Sequence, residues 1–507
     1  MTKPNFIFIT ADQQRGDCYG FMGRKIKTPH LDQLRNEGAW LESNVTPCVV
    51  CQPARASILT GQLPLTHGVH DNGIDLDPAI GSKGMAGSLT AAGYDTAFFG
   101  KAHFATYHTF APTGTPECLV SSANYDEDWY GPYMGFQYVE MMLVGHNWFL
   151  PEKPPHGQHY ERWFYADGRG DEKNRLYREN AADTHGAAQT WHSMLPVAWH
   201  NSTWTADRAI NWLRGNRDKP FMTWVSFPDP HHPFDCPEPW SRLHPPEEVD
   251  IPEYRERDFD DRPWWHRAAV ENEPTGSKKN AETRKAYSRI EPQSDQQLRE
   301  IIANTYGQIA LIDHHVGRIM IALDELGLRD NTYVIYTSDH GDWLGDHGLI
   351  LKGPMHYEGL HRVGMIVRGP TVPAGKTITA PTSTLDVGPT LFDYAGADAL
   401  QTQHGQSLRP LLETEGATRE FALSEWELHS NRAGVGLSLR TARTETAKLT
   451  VEMQSGAGEL YDLSNDPLEM KNCFDDPAYK VLKDQLLGYI AKRPNDVGPT
   501  HEPVGMA

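Results

Sequence analysis

The chain has 507 residues, 39% hydrophobic and 22% charged, which suits a large domain with a smaller partner and excludes a disordered tail. The chain contains 47 Lys and Arg residues and 67 Asp and Glu residues, which gives a formal net charge of -20. This acidity disfavours nucleic acid and anionic membranes as partners, because both are bound through surplus Lys and Arg, but it leaves room for a small anionic substrate in a local cationic pocket.

Cysteine content and hydropathy bear on the compartment. Six cysteines in 507 residues are too few for a disulfide scaffold. No stretch approaches the roughly 18 apolar residues of a membrane span, and the one short apolar run near the N-terminus, residues 6–10, lacks the length of a secretory signal. We therefore predict a cytoplasmic protein with no membrane partner.

Strand-like and helical patterns alternate along the first four-fifths of the chain. Residues 6–10 read as a buried strand, and a helix follows between Thr28, a suitable cap, and Gly38, a suitable stop. The clearest helix spans residues 306–328, where apolar side chains recur at steps of three and four, and it leads into the strand-like residues 332–338. This order predicts an α/β fold with a largely parallel central sheet flanked by helices.

The pattern predicts two domains. Residues 1–410 form the proposed catalytic domain, with elaborated loops at about 104–200 and 235–300, where Trp, Tyr, Pro and charged residues interrupt the alternation. Residues 411–507 contain four short strand-like runs and a final helix near 478–491, which predicts a smaller α+β domain with a short antiparallel sheet.

Residues able to bind metal or transfer protons follow four of the predicted strands. In a parallel sheet, ligands bind beyond the carboxyl ends of the strands, so these residues are expected to converge. They are Asp12 and Gln13; Lys101 and His103; Asp229, His231 and His232; and Asp339, His340, Asp342, Asp346 and His347. Asp also makes turns, but four such strand ends favour a metal-centred anion site.

The segment TPCVVCQPARASILTG, residues 46–61, is the sharpest local feature. Pro53 suits the first turn of a helix that ends at Gly61, which puts Cys51 just before the helix N-terminus and Arg55 in the first turn. Unpaired amides and the helix dipole favour negative charge there. The pair Cys48 and Cys51 also permits a redox or zinc site, and hence a non-catalytic thiol–metal binding protein.

The motifs of this chain resemble those of the type I, formylglycine-dependent sulfatases of the alkaline phosphatase superfamily. Residues 51–55, CQPAR, fit the core C-x-P-x-R and continue into ASILTG. GKAH at 100–103 resembles the second sulfatase signature, and DPHHPF, TSDHGDWLGDHG and LILKG follow in the family order. ELYDLSNDPLEMKN near the C-terminus resembles the closing motif, so the resemblance covers roughly residues 4–475.

The resemblance implies hydrolysis of sulfate esters by a modified Cys51. A formylglycine-generating enzyme would convert Cys51 to Cα-formylglycine, whose hydrate attacks sulfur and passes through a covalent sulfo-enzyme intermediate. The implied ligands of one divalent metal ion are Asp12, Gln13, Asp339, His340 and the hydrate oxygen of residue 51.

The resemblance also assigns roles around the sulfate group. Arg55 would stabilise the hydrate, Lys101 would contact its oxygens, and His103 would be the base that breaks down the intermediate. Two further cationic residues, His231 and Lys352, would contact the transferred group, and one of them would protonate the leaving oxygen. Asn72 in HDNGIDLD resembles an anion-binding asparagine.

Departures from the family pattern leave alternatives open. Gln13 and His340 stand where many sulfatases have oxygen-rich Asp or Asn ligands, so calcium is the family default while manganese and zinc stay open. The same features resemble phosphonate monoester hydrolases and choline sulfatases. Phosphonate monoester hydrolases lack the Lys-x-His found here at Lys101 and His103, which favours sulfate esters over phosphonate monoesters or phosphodiesters. Arylsulfatase-like activity and a homo-oligomer are expected.

The alcohol part of the substrate has no motif of its own. Four aromatic residues in the first long loop could contact an aryl or quaternary ammonium group, but core packing is the favoured explanation for each of them: Trp129, Tyr130, Trp148 and Trp163.

Overall fold

The computed structural model describes residues 3–143, 156–215, 218–398, 400 and 402–505. Its centre is an eight-stranded sheet in the order β5-β4-β6-β1-β7-β8-β2-β9, next to a two-stranded sheet β10-β3 and a four-stranded antiparallel sheet β11-β12-β13-β14. The strands are β1 (Asn5–Ala11), β2 (Ala39–Leu41), β3 (Asn44–Val45), β4 (Asp95–Lys101), β5 (Tyr138–Met142), β6 (Phe221–Ser226), β7 (Thr332–Ser338), β8 (Met365–Arg368), β9 (Lys376–Ile378), β10 (Thr382–Ser383), β11 (Ala422–Leu428), β12 (Leu437–Arg443), β13 (Ala447–Glu452) and β14 (Gly458–Asp462).

Most helices of the described residues flank the central sheet, and α16 packs against the C-terminal sheet. They are α1 (Pro29–Glu37), α2 (Cys51–Thr60), α3 (Pro64–His67), α4 (Pro78–Gly81), α5 (Met85–Ala91), α6 (His159–Ala166), α7 (Gly170–Arg178), α8 (Asn201–Gly215), α9 (Trp264–Glu271), α10 (Lys278–Tyr287), α11 (Asp295–Glu325), α12 (Glu358–His361), α13 (Val387–Ala395), α14 (Arg409–Glu413), α15 (Ser430–Ala433) and α16 (Lys480–Ile490).

The central strand β1 is buried on both faces, as the position of a strand between helical layers requires. It pairs in parallel with β6 and β7. Phe6 and Phe8 pack into one core with residues of α2, α5 and α13, while Ile7 and Ile9 pack into a second core with α8 and α11. Because strand side chains alternate between faces, one apolar strand contributes to both layers. The predicted α/β class is confirmed, with β8 running antiparallel to both neighbours.

Several predicted elements have the predicted bounds. Strand β7 occupies residues 332–338, and α1 runs from Pro29 to Glu37 between Thr28 and Gly38. Helix α11 begins earlier than its apolar period indicated, at Asp295, because Ser294 and Gln297 form a capping box before the apolar repeat starts.

The two segments expected to be elaborated loops also contain regular structure. Strand β5 pairs in parallel with β4 and forms one edge of the central sheet. Helices α6 and α7 lie in the first segment, and α9 and α10 in the second. In the first segment, aromatic residues such as Tyr160 and Phe164 form a separate apolar core. The composition of this segment had led us to predict loops and not a packed core.

The C-terminal sheet packs against the loop that precedes Cys51. The amide of Glu425 donates to the carbonyl of Pro47 at 2.9 Å, and Trp426 and Leu439 share an apolar core with Cys48, Val49 and Val50. The sheet therefore supports the start of α2. The domain boundary near residue 410 stays a prediction.

Two properties bear on the compartment. Among the described residues, no helix combines the length and the apolar character needed to cross a membrane. All six cysteines lie within the described residues, and each is buried with a free thiol.

The buried histidine His356, which contacts β12, predicts acid destabilisation. Burial is the main factor that lowers the pKa of His356 from 6.5 to about 3, and its Nδ1 lies 2.8 Å from Thr441 Oγ1. Below pH 6.5 the unfolded chain therefore binds a proton that the folded protein does not. We expect His356 alone to lower the free energy of unfolding by about 2 kcal/mol as the pH falls from about 6.5 to 5.

The measurement is chemical denaturation from pH 8 to pH 5. His356→Gln should flatten the pH dependence, whereas His501→Gln, at an exposed position, should keep the wild-type slope. An unchanged slope in His356→Gln would assign the acid sensitivity to other groups.

Candidate active site

Three carboxyl ends of neighbouring parallel strands bring charged residues together. Asp12 follows β1, Lys101 ends β4 and Asp339 follows β7. Lys101 Nζ lies 2.6 Å from Asp12 Oδ2, and the backbone N–H of Gln13 donates to Asp339 Oδ1 at 3.1 Å. The sheet order β4-β6-β1-β7 explains this convergence, since these strands lie side by side.

Cys51 is the first residue of α2 and is 1% exposed. Its Sγ lies 3.0 Å from His340 Nε2, 2.9 Å from Lys352 Nζ and 3.7 Å from Asp12 Oδ1. The helix ends at Gly61, whose φ of 68° is in the left-handed region that glycine adopts without strain. The local prediction from Pro53 and Gly61 therefore agrees with the structure, except that the helix already includes Cys51.

Arg55 is fully buried and ties α2 to the sheet. Its Nε donates to Asp339 Oδ2 at 2.8 Å and its Nη2 to Asp12 Oδ2 at 3.2 Å. Its Nη1 donates to the carbonyl of Lys101 at 2.7 Å and to Ser226 Oγ at 2.8 Å. One guanidinium thus fixes both carboxylates relative to Cys51.

Lys352 lies at the centre of the remaining predicted residues. Its Nζ is 3.0 Å from His231 Nε2 and 3.3 Å from His340 Nε2, and it donates to Gln13 Oε1 at 3.1 Å. Lys352 Nζ therefore lies among four atoms of the predicted site, counting Cys51 Sγ.

The four groups best suited to a metal ion are all buried. Ligand atoms of Asp12, Cys51, Asp339 and His340 lie within 4.8 Å of one another. Two carboxylates with an imidazole and the group at position 51 form a donor set that fits a divalent cation. Gln13 Oε1 accepts a hydrogen bond from Lys352 Nζ at 3.1 Å, and this lysine also contacts Cys51 and His340.

The surroundings shift the pKa values of the two carboxyls in opposite directions. Burial opposes ionisation of Asp12, but the positive charges of Lys101 and Arg55 outweigh it and hold the pKa well below its usual range. Burial, followed by the negative charge of Asp12, raises the pKa of Asp339. A bound cation would favour the ionised form of both.

His103 and Asn72 lie in the wall of the cavity that opens above Cys51. The cavity has a volume of about 920 Å³, and Lys101, His231 and Lys352 also line it. Burial is the largest cause of the lowered pKa of His103. Asn72 Oδ1 accepts from the backbone N–H of Gln52, the second residue of α2, at 3.0 Å.

The structure therefore brings together the residues to which the family resemblance assigns functions, while those functions stay predictions. The expected convergence does not extend to Asp346, which pairs with Arg15 at 2.7 Å, or to His347, which stacks on Tyr357.

Sequence reasoning missed Ser226, which ends β6 and bridges Arg55 to the carbonyl of Lys101; its position at a strand end was the available signal. It also missed the function of Asp342, whose Oδ2 accepts from Gln13 Nε2 at 2.6 Å and orients that side chain.

Asp229 and the two neighbouring histidines differ in their surroundings. Asp229 is buried beneath the site, where Ser202 Oγ donates to it at 2.5 Å and His200 Nδ1 lies 3.6 Å away. The rings of His231 and His232 stack with centroids 4.0 Å apart.

The alternative readings of the sequence find less support in the described residues. No group of potential metal ligands found there includes Cys48. Trp129, Tyr130 and Trp163 do not line the cavity, where Trp343 and Trp426 are the tryptophans of the described wall. Trp129 instead stacks on His159. Trp148 lies outside the described residues.

Comparison with known proteins assigns the chain to a family. Residues 4–397 match the sulfatase family, and residues 345–495 match the family described as N-sulphoglucosamine sulphohydrolase, C-terminal. An arylsulfatase of Clostridium perfringens is 29% identical, over 97% of this chain and 94% of its own. The multifunctional alkaline phosphatase superfamily protein PehA of Trinickia caryophylli is also 29% identical, over 95% and 93%.

A solved structure supports the same assignment. The phosphonate monoester hydrolase of Agrobacterium radiobacter superimposes with a TM-score of 0.76 and 26% identity, over 98% of this chain and 97% of its own. Fold and site define a member of the alkaline phosphatase superfamily. The chain belongs to the sulfatase family, and its class is that of the sulfuric ester hydrolases.

Proposed function

We propose that this protein hydrolyses sulfate esters with residue 51, converted from Cys to Cα-formylglycine, as the nucleophile. One hydroxyl of the hydrate displaces the alcohol from sulfur, and loss of the proton from the other hydroxyl then expels sulfate and regenerates the aldehyde. The observation that carries the proposal is the position of Cys51 Sγ at the start of α2, 3.0 Å from His340 Nε2 and 2.9 Å from Lys352 Nζ, on a cavity of about 920 Å³. The hydrated aldehyde supplies two hydroxyls, one to attack sulfur and one to expel the product later.

One divalent metal ion completes the proposed site. Asp12, Gln13, Asp339 and His340 would hold it together with residue 51, in keeping with the clustering of four of these groups within 4.8 Å. When bound, the ion supplies positive charge that favours ionised ligands and stabilises negative oxygens. Calcium is the family default, and the imidazole of His340 suits manganese or zinc as well.

The cationic residues of the chain would bind and orient the sulfate group. Arg55, fixed by Asp12 and Asp339, holds the carboxylates and adds positive charge beneath residue 51. Lys101, with its Nζ close to Asp12, would contact the oxygens of the substrate. Asn72 lies beside the start of α2 and would donate an amide hydrogen to the same group.

Two proton-transfer functions complete the proposal. Burial keeps the pKa of His103 below 6.5, so the ring is neutral near pH 7 and can accept the proton whose loss expels sulfate. His231 and Lys352, 3.0 Å apart, would share the proton that the leaving oxygen receives. This short distance supports a general-acid function for one member of the pair.

The modification is tested on the tryptic peptide of residues 36–55, which contains both Cys48 and Cys51. After denaturation and treatment with iodoacetamide, we expect one alkylated cysteine, Cys48, and the mass of an aldehyde at position 51. Cys48 is the internal control for complete alkylation. Fully active enzyme with both cysteines alkylated would contradict the proposal.

A phosphonate monoester or phosphodiester hydrolase is the second candidate, favoured by the TM-score of 0.76 to the Agrobacterium radiobacter enzyme. Lys101 and His103 in the cavity wall favour the sulfate reading over it. We expect kcat/KM for an aryl sulfate to exceed that for the matching aryl phosphonate monoester and phosphodiester. A large preference for either phosphorus ester would make the second candidate the main activity.

Three further proposals concern the maturation of the protein, its location and its assembly. A formylglycine-generating enzyme would be a transient partner during synthesis. Six free, buried cysteines suit a reducing compartment and support a cytoplasmic location. We further propose a homo-oligomer, which size-exclusion chromatography with light scattering would test.

A further inference from the structure

His103, the proposed base, has a backbone conformation that histidine rarely adopts. Its φ is 53°, in the left-handed region that favours glycine. A residue with a side chain stays in that region only where its surroundings hold it there. Because the backbone sets the direction of the side chain, the groups that hold residue 103 also determine where its imidazole points.

The imidazole ring of His103 lacks a second hydrogen-bond partner. The ring forms a hydrogen bond with Cys51, but within the described residues its buried Nδ1 has no partner. A catalytic base is usually oriented by a third group that bonds to it. Since no described residue does so here, the orientation of His103 depends on its backbone.

Glu117 binds the two peptide groups that follow His103. Its Oε1 accepts from the amide of Phe104 at 3.1 Å and from that of Ala105 at 3.2 Å, and its Oε2 accepts from the Phe104 amide at 3.2 Å. The hydroxyl of Tyr133 donates to the same Oε1 at 2.8 Å. Glu117 is 1% exposed, so these bonds lie in a surrounding of low dielectric constant, which strengthens them.

Two bonds on the other side of this loop do not involve Glu117. The Leu76 amide donates to the Phe104 carbonyl at 2.9 Å, and the Thr106 amide donates to Asp75 Oδ1 at 2.7 Å. They tie the loop to the segment at 72–76 and remain when Glu117 is replaced. The loss of Glu117 is therefore expected to release the peptide groups next to the base while the rest of the loop keeps its place.

We propose that Glu117 is a positioning residue, which fixes the imidazole of His103 beside the sulfated hydrate of residue 51. This function rests on the proposed hydrolysis of sulfate esters. In the second step of that reaction, His103 takes the proton of the free hydroxyl, the C–O bond to sulfate breaks and the C=O bond of the aldehyde forms. A carboxylate that fixes the base therefore affects this step and not the attack on sulfur.

The test separates the two steps with 4-nitrophenyl sulfate and fully modified enzyme. Release of 4-nitrophenol reports the attack, and kcat/KM covers the steps up to it, whereas kcat also includes the breakdown of the sulfated hydrate. For Glu117→Ala we expect kcat to fall by roughly tenfold to a hundredfold while kcat/KM stays within about threefold of the wild type. KM should fall together with kcat, and a stoichiometric burst of 4-nitrophenol should precede slow turnover.

Further variants connect the effect to the hydrogen bonds of Glu117. Glu117→Gln keeps one acceptor oxygen and should recover part of kcat, and it serves as the test if Glu117→Ala fails to fold. Tyr133→Phe removes only the hydroxyl donor and should give a smaller change in the same direction. His103→Ala should show the same burst with the largest loss of kcat.

Asp313→Asn is the matched control for Glu117→Gln. Asp313 is 2% exposed and also accepts from two consecutive amides, those of His30 at 3.3 Å and Leu31 at 2.7 Å. Burial raises the pKa of both carboxyls, Glu117 and Asp313, to about 7. The amides that Asp313 binds belong to α1, which is not part of the described cavity wall. We expect a lower thermal midpoint with the kcat and KM of the wild type.

Two failures are distinguishable. If the folded Glu117 variants kept the wild-type kcat, or if kcat and kcat/KM fell equally without a burst, the positioning function would be overturned while sulfate hydrolysis stood. If the wild type hydrolysed no sulfate ester, the proposed function itself would be overturned, and the positioning function with it.

Discussion

Replacing Cys51 with alanine is expected to reduce kcat/KM for a sulfate ester by at least about 10⁴-fold, because the nucleophile is lost. Cys51→Ser should be similarly inactive, since a serine hydroxyl in place of the aldehyde hydrate provides attack without the second hydroxyl. The measurement is steady-state hydrolysis of an aryl sulfate together with the metal content of each variant.

Cys48→Ala is the matched control. Cys48 is equally buried, three residues earlier, and belongs to no cluster of potential metal ligands among the described residues. It should keep most of the activity, with a small loss of stability from the deleted sulfur. Turnover by Cys51→Ala close to that of the wild type would exclude residue 51 as the nucleophile. Unchanged metal content with abolished turnover would exclude the non-catalytic thiol–metal binding protein.

Replacing Arg55 with methionine is expected to damage both stability and catalysis. The guanidinium is fully buried and donates to Asp12, Asp339, Ser226 and the carbonyl of Lys101. Its removal leaves Asp339 without its guanidinium partner and Asp12 with Lys101 alone, and breaking a buried ion pair in this way costs about 3–5 kcal/mol. We expect kcat/KM of the folded variant to fall by at least about 10³-fold, since the residues around position 51 lose their fixed positions.

The control for Arg55→Met is a buried arginine away from the site. Arg443 of β12 has a side chain 6% exposed, with its Nη2 3.1 Å from Glu358 Oε2. Arg443→Met should also lower the thermal midpoint, but folded enzyme should keep its metal content and most of its kcat. If the two variants lost equal activity per folded molecule, Arg55 would contribute to stability but would have no specific function in catalysis.

Sequence reasoning found the site because its signals are local. A helix that begins at a cysteine and ends at a glycine with positive φ is encoded within residues 50–61. Asp12, Lys101 and Asp339 were recognisable because each follows or ends an apolar strand, and parallel strands present their carboxyl ends at one edge.

The helix start at Asp295 and the edge strand β5 were harder to find. The first turns of α11 are polar and carry no apolar period, so only the capping residues Ser294 and Gln297 marked them. Strand β5 lies in an aromatic-rich segment, where pairing with β4 rather than local pattern decides the conformation.

Taken by itself, the sequence determined the fold class and the residues of the candidate site, since apolar periodicity, caps and short motifs act over a few neighbouring residues. Only the tertiary structure decided which side chains form hydrogen bonds or ion pairs with one another and which line the same cavity. The contact of Lys352 with His231, the support of the Cys51 loop by β11 and the approach of Arg432 to Asp71 join residues 121 or more positions apart. Contacts between residues so far apart in the sequence depend on how the helices pack on the sheets, and a pattern of neighbouring residues does not determine that packing.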